Sequence, residues 1–426
     1  MARAPGTGPR SRPPRPAGTL SRLVNDLAVG LIRAERRIDP RFRPAFDRWL
    51  RPPAAAAVQA LVNLRRRDPR LGPAAERELP GEAAATAEII AEMSAFTREH
   101  YAPGAALRAG NTKTYGVVRG ELAVRRDVPE RLRHGIFAAP RTYRAWVRFA
   151  GPGPLAPPDL DDNGVLSIGI KLMGVEGPKL LDHERWTQDL TGISAPTFTT
   201  PDVVENAKLQ RRVREGVPVW YFLDPFDSHL LDGIMQGLWS KTHANPLEAQ
   251  YYSCAAYLLG EGQAMQYSVR PRAAPTSRVP RRPGPDYLRA AMAATLARQA
   301  VELDLLVQLQ TDPFRMPVEN ASVRWPERRS PFVPVATLRL PSQRFDSPAQ
   351  LALADSLSYN PWHCIPAHRP LGNQNRARKA IYLELSALRQ TSGHALDVFG
   401  WMEIATSWLS AHLRPGGREA GSTTAP

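Results

Sequence analysis

A tyrosine placed between two arginines is the feature of this sequence with the clearest chemical potential. Tyr382 follows Arg378 by four residues and precedes Arg389 by seven. Residues at these spacings share one face of an α-helix, so a helix would bring the three side chains together. A guanidinium beside a phenol stabilises the phenolate form. A phenolate is a ligand for ferric iron, and tyrosine is a known axial ligand of haem.

The surrounding residues predict the helix that this arrangement requires. Pro370 and Gly372 end the preceding segment, and no glycine or proline occurs from 375 to 390, so a helix is expected there. Five polar residues share one face of it: Asn375, Arg378, Tyr382, Ser386 and Arg389. The other face carries Ile381, Leu385 and Leu388. A polar stripe of this kind is also compatible with an ordinary solvated face, so its interpretation depends on the rest of the chain.

The spacing Arg378-x-x-x-Tyr382, followed by Arg389, resembles the proximal haem motif of the catalase superfamily. The resemblance implies that Tyr382 binds the iron of haem b and that Arg378 pairs with its phenolate. It further implies that Arg389 holds a haem propionate. Because R-x-x-x-Y alone is a weak signal, the resemblance depends on whether other family segments occur in the family's order.

Two further segments resemble family motifs that precede and enter the predicted barrel. Residues 108–116 are similar to R-x-x-H-x-K-G-x-G, which implies that Arg108 meets a propionate. Residues 147–149, with 167–171, are similar to the R-F-S and G-x-A-x-K stretch, which makes Arg148 another propionate partner. Three arginines converging on one pocket would be unfavourable without an anion, and two propionates would supply the charge.

The remaining family segments follow in the expected order. Residues 189–198 resemble D-x-x-G-N-N-T-P-x-F, and the resemblance places Phe198 among the cofactor contacts. Residues 323–326 and 359–361 follow the family's V-W-P and F-S-P course towards the tyrosine helix. The resemblance covers roughly residues 90–390 and implies an α+β, catalase-like fold.

The sequence departs from the family where the family places its distal acid and base. Asn111 occupies the histidine position, and Ile193 and Ser194 replace an asparagine pair. Neither asparagine nor serine titrates near neutral pH, and losing one general acid or base typically costs about 10²–10⁴-fold in rate. We therefore expect weak hydrogen peroxide disproportionation.

The residues predicted on the distal side could support peroxide reactions other than disproportionation. Asn111, Thr112 and Ser194 are the candidate catalytic residues, since their side chains can hydrogen-bond a hydroperoxide. Peroxidase chemistry on an organic hydroperoxide is therefore the leading expectation. Isomerisation of such a hydroperoxide, as in the allene oxide synthase branch, is a looser analogy because that branch keeps a distal histidine.

Two histidines near the tyrosine helix are alternative candidates. His363 precedes Tyr382 by nineteen residues and could ligate iron, although an imidazole satisfying a buried backbone group is the simpler interpretation. His368 is most simply a loop residue, although a position near the haem edge stays open.

Charge and cysteine content narrow the class of protein. The 426 residues carry a formal charge of +15, but residues 1–72 contain sixteen arginines and five acids, so the remainder is nearly balanced. A nucleic-acid partner is therefore not expected. The two cysteines, Cys254 and Cys364, exclude a disulfide framework and fit a reducing cytosol. No stretch approaches the roughly 18 apolar residues that span a bilayer, so a soluble cytoplasmic protein is expected.

Patterning predicts a barrel between helical segments. A disordered basic tail is expected at 1–18, a helical arm at 19–105, the haem-binding domain at 106–413 and a disordered tail at 414–426. Helices are predicted at 19–37, 53–67, 83–99, 285–304, 375–390 and 395–413. Strands of an antiparallel barrel are predicted at 114–124, 141–149, 165–175, 250–259, 263–269 and 333–340.

The basic amphipathic helix at 19–37 has two interpretations, docking on the body of the protein or peripheral contact with an anionic membrane. It also supports a rival function. A catalase-like protein without turnover, or without haem, could serve as an interaction module that docks through this helix. A homo-oligomer is a further expectation, because catalases are commonly tetramers held by swapped N-terminal arms.

Overall fold

The computed structural model describes residues 18–66, 68, 70–102 and 104–390. The helix predicted at 395–413, the tail at 414–426 and all of the N-terminal tail except Gly18 lie outside these residues. Within the described residues, helices precede an antiparallel barrel, cover it and follow it. The α+β class is therefore confirmed.

The N-terminal arm consists of helices joined almost without interruption. Helix α1 spans Thr19–Ala45, a π-helical turn follows at Phe46–Leu50, and α2 spans Arg51–Arg65. The π turn begins two residues after Pro44, which has no backbone N–H to donate, and such turns interrupt a helix without ending it. Helix α3 spans Glu82–His100. The arm thus follows the predicted helices, except that α1 extends well beyond residue 37.

In the described part of the chain, nine strands form one sheet, and all of their pairings are antiparallel. They are β1 Thr114–Val124, β2 Thr142–Ala150, β3 Ser167–Met173, β4 Thr187–Ile193, β5 Tyr251–Tyr252, β6 Tyr257–Leu258, β7 Ala264–Pro271, β8 Val301–Leu309 and β9 Val333–Leu340. The order is β5-β4-β3-β2-β1-β9-β8-β7-β6, and an additional β5–β7 pairing closes eight strands into a barrel. Closure leaves no free edge along the ring.

Strand β2 shows how the alternation of side chains builds the barrel. Tyr143, Ala145, Val147 and Phe149 all belong to the main apolar core, to which the long strands contribute. Arg144, between them, is exposed. On the face of Arg144, Trp146 packs in a second apolar cluster, so both faces of this strand are largely buried. The strand itself is confirmed.

The remaining helices are packed around this barrel. They are α4 Val203–Arg214, α5 Trp220–Leu223, α6 Leu230–Trp239, α7 Tyr287–Leu296, α8 Pro348–Ser356 and α9 Asn373–Arg389. Ile381 and Ala377 of α9 pack with Ile89 of α3 and Ala207 of α4 in a separate apolar cluster. The tyrosine helix is therefore held between the N-terminal arm and the helices that follow β4.

Several sequence-based boundaries are wrong. Residues 285–304 form helix α7 and then the start of β8, where the alternation of Leu303 and Leu305 with polar residues is a strand signal. The single strand predicted at 250–259 is two short strands, β5 and β6, separated at Cys254, whose φ of 56° lies in the left-handed region. Strand β4 and helices α4, α5, α6 and α8 were not predicted.

Candidate functional site

A cavity of about 580 Å³ lies between α9 and the barrel. Helix α9 lines one side, and the loop at 108–111 with strands β2, β3 and β4 lines others. Apolar side chains contribute much of the wall: Ile89, Ile168, Ile193, Phe198, Ile381 and Leu385. Cavities of about 300–1,000 Å³ with mostly apolar walls and a few convergent polar groups are typical ligand sites.

Tyr382 lines this cavity and is held by Arg378. The Arg378 Nε and Nη2 atoms donate to the Tyr382 Oη at 3.2 and 3.0 Å. Arg378 also donates to Asn375 Oδ1 at 2.9 Å and to Thr191 Oγ1 on β4 at 2.8 Å. Burial acts to lower the pKa of Arg378, but the Tyr382 oxygen raises it above its ordinary value. The guanidinium therefore stays charged and faces the phenol oxygen.

Three further arginines converge on the cavity from different elements. Arg108 Nη2 donates to the Ala354 carbonyl at 3.0 Å, and Arg389 Nη2 donates to the Leu357 carbonyl at 3.1 Å. Arg148 on β2 donates to the Asn111 carbonyl at 2.7 Å and to the Thr114 hydroxyl at 2.8 Å. All three line the cavity, so the structure brings the predicted propionate partners together.

The hydrogen-bond partners of these arginines are neutral, so among the described residues no direct ion pair balances their positive charge. Among the described residues, no carboxylate oxygen lies within 4.0 Å of Arg108, Arg148 or Arg389. Burial lowers the pKa of all three. Repulsion from Arg108 lowers the pKa of Arg148 and Arg389 further, and the charge of Asp355 opposes the fall in each of the three. The pKa of Arg389 falls to about 9. Among the described residues, the buried Arg389 Nε also has no hydrogen-bond partner. Buried cations of this kind require an anion, so the cavity fits an anionic ligand.

Asn111 lines the cavity, as predicted. Its φ of 49° lies in the left-handed region that asparagine tolerates, and its backbone N–H donates to the Pro152 carbonyl at 3.2 Å. Its side-chain amide makes no hydrogen bond with any other described residue. The amide is therefore free to meet a ligand.

The structure does not bring the other two candidate catalytic residues to the cavity wall. The Thr112 hydroxyl donates to the Arg108 carbonyl, and the residue is buried. The Ser194 hydroxyl accepts from the Leu166 N–H at 2.9 Å and lies 3.3 Å from His243 Nε2. Both side chains are therefore committed to structural contacts. Phe198, by contrast, does line the cavity.

Ionisable residues that sequence reasoning missed also line the cavity. Asp161 and Asp162 come from the loop between β2 and β3, and Arg36 comes from α1. Burial raises the pKa of Asp162 to about 6, although a hydrogen bond from the Gly153 N–H and the charge of Arg36 oppose the rise. The adjacent acids in the Asp-Asp-Asn run at 161–163 were a visible signal, but nothing in the sequence placed that loop beside Asn111.

His363 and His368 are not cavity residues. His363 is fully buried, with Nδ1 2.7 Å from Asp189 Oδ2 and Nε2 2.8 Å from His183 Nε2. His368 Nε2 accepts from the Ile136 N–H at 3.0 Å, and burial lowers its pKa to about 4. The alternative of His363 as the iron ligand is therefore not supported by its position.

Cys254 is the remaining side chain in the wall that could bind a metal strongly. Its thiol donates to the Ala195 carbonyl at 2.9 Å, and burial raises its pKa above the ordinary value. A protonated thiol is a poor metal ligand because the thiolate is the binding form. Tyr382, paired with a guanidinium, is the better-prepared ligand.

The donor set fits haem. Tyr382 would supply an anionic axial oxygen, as tyrosine does in catalases. Arg108, Arg148 and Arg389 would neutralise two propionates, and the apolar wall would contact the porphyrin faces. Two observations on the described residues support this fit: the three arginines form no ion pair with a carboxylate, and the buried Arg389 Nε has no hydrogen-bond partner there.

Three solved structures with a similar fold are catalases. A fungal catalase matches 70% of this chain and 61% of its own length, with a TM-score of 0.53 at 16% identity. A bacterial catalase matches 72% of this chain and 60% of its own length, with a TM-score of 0.51 at 16% identity. Catalase A from Saccharomyces cerevisiae matches 77% and 68%, with a TM-score of 0.55 at 14% identity.

The sequence itself gives no such match. No protein-family model matches the chain, and neither does any curated protein. The chain spans about three fifths of the length of the fungal and bacterial catalases. A likeness at these identities establishes the architecture, which agrees with the order of the motifs. The chain therefore has a catalase-like fold.

Proposed function

We propose that this chain binds haem b through Tyr382 and acts on peroxides, with an organic hydroperoxide as the preferred substrate. One observation carries the proposal. A phenol held by two hydrogen bonds from Arg378 shares its cavity with three arginines that form no ion pair with a carboxylate of the described residues. Among common cofactors, haem combines an axial position for a phenolate with two carboxylates.

Ferric haem, when bound, would supply the redox chemistry with hydroperoxides. The residues of the chain would hold and orient the reactants. Arg378 keeps the Tyr382 oxygen in place and stabilises its negative charge. Arg108, Arg148 and Arg389 bind the propionates.

Asn111 and Asp162, the polar residues expected on the distal side, determine which peroxide reaction the site can support. The free Asn111 amide can donate a hydrogen bond to a hydroperoxide oxygen, but it cannot exchange a proton near neutral pH. Asp162 lines the same cavity and can exchange a proton, with its pKa raised by burial to about 6. Without a distal imidazole, we infer that hydrogen peroxide disproportionation is slow. Reduction of an organic hydroperoxide, with a reductant supplied from solution, is the better match.

The absorption spectrum of full-length protein expressed with haem supplied tests the proposal. We expect a Soret band typical of tyrosinate-ligated ferric haem, which Tyr382→Phe shifts or abolishes. Tyr101→Phe is a matched control, because the Tyr101 hydroxyl bonds to the Pro154 carbonyl and lies outside the cavity wall. A spectrum that Tyr382→Phe leaves unchanged would refute the ligand assignment.

Turnover with cumene hydroperoxide and with hydrogen peroxide then tests the substrate class. Faster turnover of the organic hydroperoxide is expected, and a clear preference for hydrogen peroxide would contradict the proposal. Haem binding without turnover of either would favour the rival interpretation, a catalase-like module that has lost its activity.

A further inference from the structure

Helix α1 docks on the protein with its polar side. Its buried residues are Ser21, Asn25, Arg36, Asp39 and Arg43. Asp39 Oδ2 accepts from the Thr242 N–H at 2.6 Å, and Arg43 donates to the carbonyls of Leu238 and Ser240, both at 2.6 Å. A surface helix ordinarily buries its apolar stripe and exposes its polar face. Helix α1 has the opposite orientation.

The apolar side of α1 consequently faces outward. We define the α1 stripe as six large apolar side chains that recur at helical spacing. They are Leu20 (67% exposed), Leu23 (66%), Leu27 (64%), Leu31 (64%), Ile38 (50%) and Phe42 (40%). Trp49, in the π turn that follows, is 67% exposed. Single exposed apolar residues are common on protein surfaces, but a continuous row of them is not. A contiguous apolar surface of this extent therefore marks an interaction site.

Positive charge accompanies the α1 stripe. Arg22, Arg33, Arg37, Arg41 and Arg48 are exposed along the same segment. The acids of this segment offset these arginines only in part. Asp26 is exposed and the Glu35 side chain is partly exposed, whereas Asp39 is buried and Asp47 pairs with Arg43. In the sequence, residues 1–17 add four arginines and no acid. The partner of this surface should therefore combine an apolar layer with negative charge.

We propose that the α1 stripe docks this protein on the surface of an anionic lipid bilayer. The leucines, Phe42 and Trp49 would enter the boundary between headgroups and acyl chains, and the arginines would bind acidic headgroups. Among the described residues, no helix is long and apolar enough to cross a membrane, so α1 would lie in the interface plane.

A second copy of the chain fits this surface less well. Pairing two α1 stripes would bring two rows of arginines together, and like charges brought close are unfavourable. An anionic bilayer attracts the same arginines, because each basic residue near such a surface is drawn to its negative potential. The charge distribution therefore selects the bilayer.

Docking would also bring the cavity close to the bilayer. Ile32 and Arg36, on the inner edge of α1, line the cavity wall. If the proposed function holds, this position suits hydroperoxides of membrane lipids as substrates. The docking proposal itself does not depend on haem or on turnover.

Co-sedimentation of the full-length protein with vesicles tests the docking. Vesicles of phosphatidylcholine with phosphatidylglycerol should bind the protein, whereas pure phosphatidylcholine should bind it at least about tenfold more weakly. High salt should weaken the binding to the anionic vesicles. Equal binding to both compositions, or no binding to either, would overturn the proposal.

Variants assign the binding to α1. Replacing Leu23, Leu27 and Leu31 together by serine should weaken binding to anionic vesicles at least about tenfold. Each substitution removes hydrocarbon groups that would be buried in the bilayer when the protein is bound. A matched control replaces the exposed Phe226 (98%) and Trp186 (64%) by serine, and should bind like the wild type. Circular dichroism confirms that each variant is folded.

The same proteins are examined by light scattering without lipid. A monomer–oligomer equilibrium that the triple variant abolishes, with vesicle binding unchanged, would show that a second copy covers the α1 stripe. That outcome overturns membrane docking and leaves the haem spectrum unaffected, so the two proposals fail separately.

Discussion

Arg378 approaches the Tyr382 oxygen with two of its nitrogen atoms, at 3.2 and 3.0 Å, and is itself anchored to Thr191 of the barrel at 2.8 Å. The pair is therefore local in sequence but fixed by a tertiary contact. This anchoring orients the guanidinium towards the cavity wall, where a ligand on the phenol would be bound.

Replacement of Arg378 by alanine should weaken haem retention. Hydrogen bonds to charged groups contribute about 1.5–3 kcal/mol, so affinity for haem should fall by roughly one to two orders of magnitude. Haem transfer to apomyoglobin measures the loss. Lys379→Ala on the same helix is the control, because Lys379 lies over the Trp362 ring and not in the cavity wall. Equal haem loss in both variants would argue against a specific role of Arg378.

Replacement of Arg389 by methionine should leave the haem-free protein equally or more stable, and should weaken its binding of haem. Burial lowers the pKa of Arg389 to about 9, so its charge destabilises the haem-free fold below pH 9, and this cost disappears as the pH rises towards 12.5. At pH 7.5 the haem-free variant should be as stable as the wild type, or more stable by up to about 4 kcal/mol.

The same variant should bind haem more weakly, because it removes a propionate partner. Thermal unfolding with and without haem measures both effects. A haem-free variant that is clearly less stable than the wild type would show that Arg389 has a purely structural role.

The stability of the fold should depend on pH near 6 because of Asp162. Its pKa is raised by burial to about 6 from 3.8, so its stabilising contribution is complete below pH 3.8 and is lost as the pH rises through 6. Arg36, Arg33 and Asp161 are the charged groups nearest to it. Asp162→Asn should flatten the profile of stability against pH between pH 4 and 6.

If Asp162 moves a proton during turnover, the pH–rate profile of Asp162→Asn should also lose its limb near pH 6. A limb that survives in the variant would assign proton transfer to another group.

Introduction of histidine at position 111 should raise hydrogen peroxide disproportionation. A general acid or base typically contributes about 10²–10⁴-fold, and histidine tolerates the left-handed backbone conformation found there. Oxygen release measured with an electrode checks the gain. Asn111→Leu, which provides no titratable group, should show none. No gain with histidine would mean that position 111 is not in reach of the peroxide.

Local spacing determined a large part of the candidate site. Arg378, Tyr382 and Arg389 lie on one helix at spacings that force a shared face, so their arrangement needed no tertiary information. The alternation in β2 similarly predicted that Val147 and Phe149 point to the same side of the strand, and both lie in the main apolar core. The order of the motifs predicted the catalase-like fold.

Contacts between distant segments decided the rest. The Ser194 hydroxyl has the right chemistry for a distal site, but it accepts from the Leu166 N–H, 28 residues earlier in the chain, and is held elsewhere. The Thr112 hydroxyl is held by a local hydrogen bond to the Arg108 carbonyl. Asp162 and Arg36 reach the cavity because a loop and the N-terminal helix fold over it, and spacing within one segment carries no information about such contacts.

For helix α1 too, the sequence determined some properties and tertiary contacts determined others. The sequence determined that the helix is amphipathic and basic, since both properties follow from residue types at a 3.6-residue period. Which face it buries was decided by the polar groups that it meets, among them the Thr242 N–H and the carbonyls of Leu238 and Ser240. Buried polar groups require partners, and satisfying them left the leucines outside.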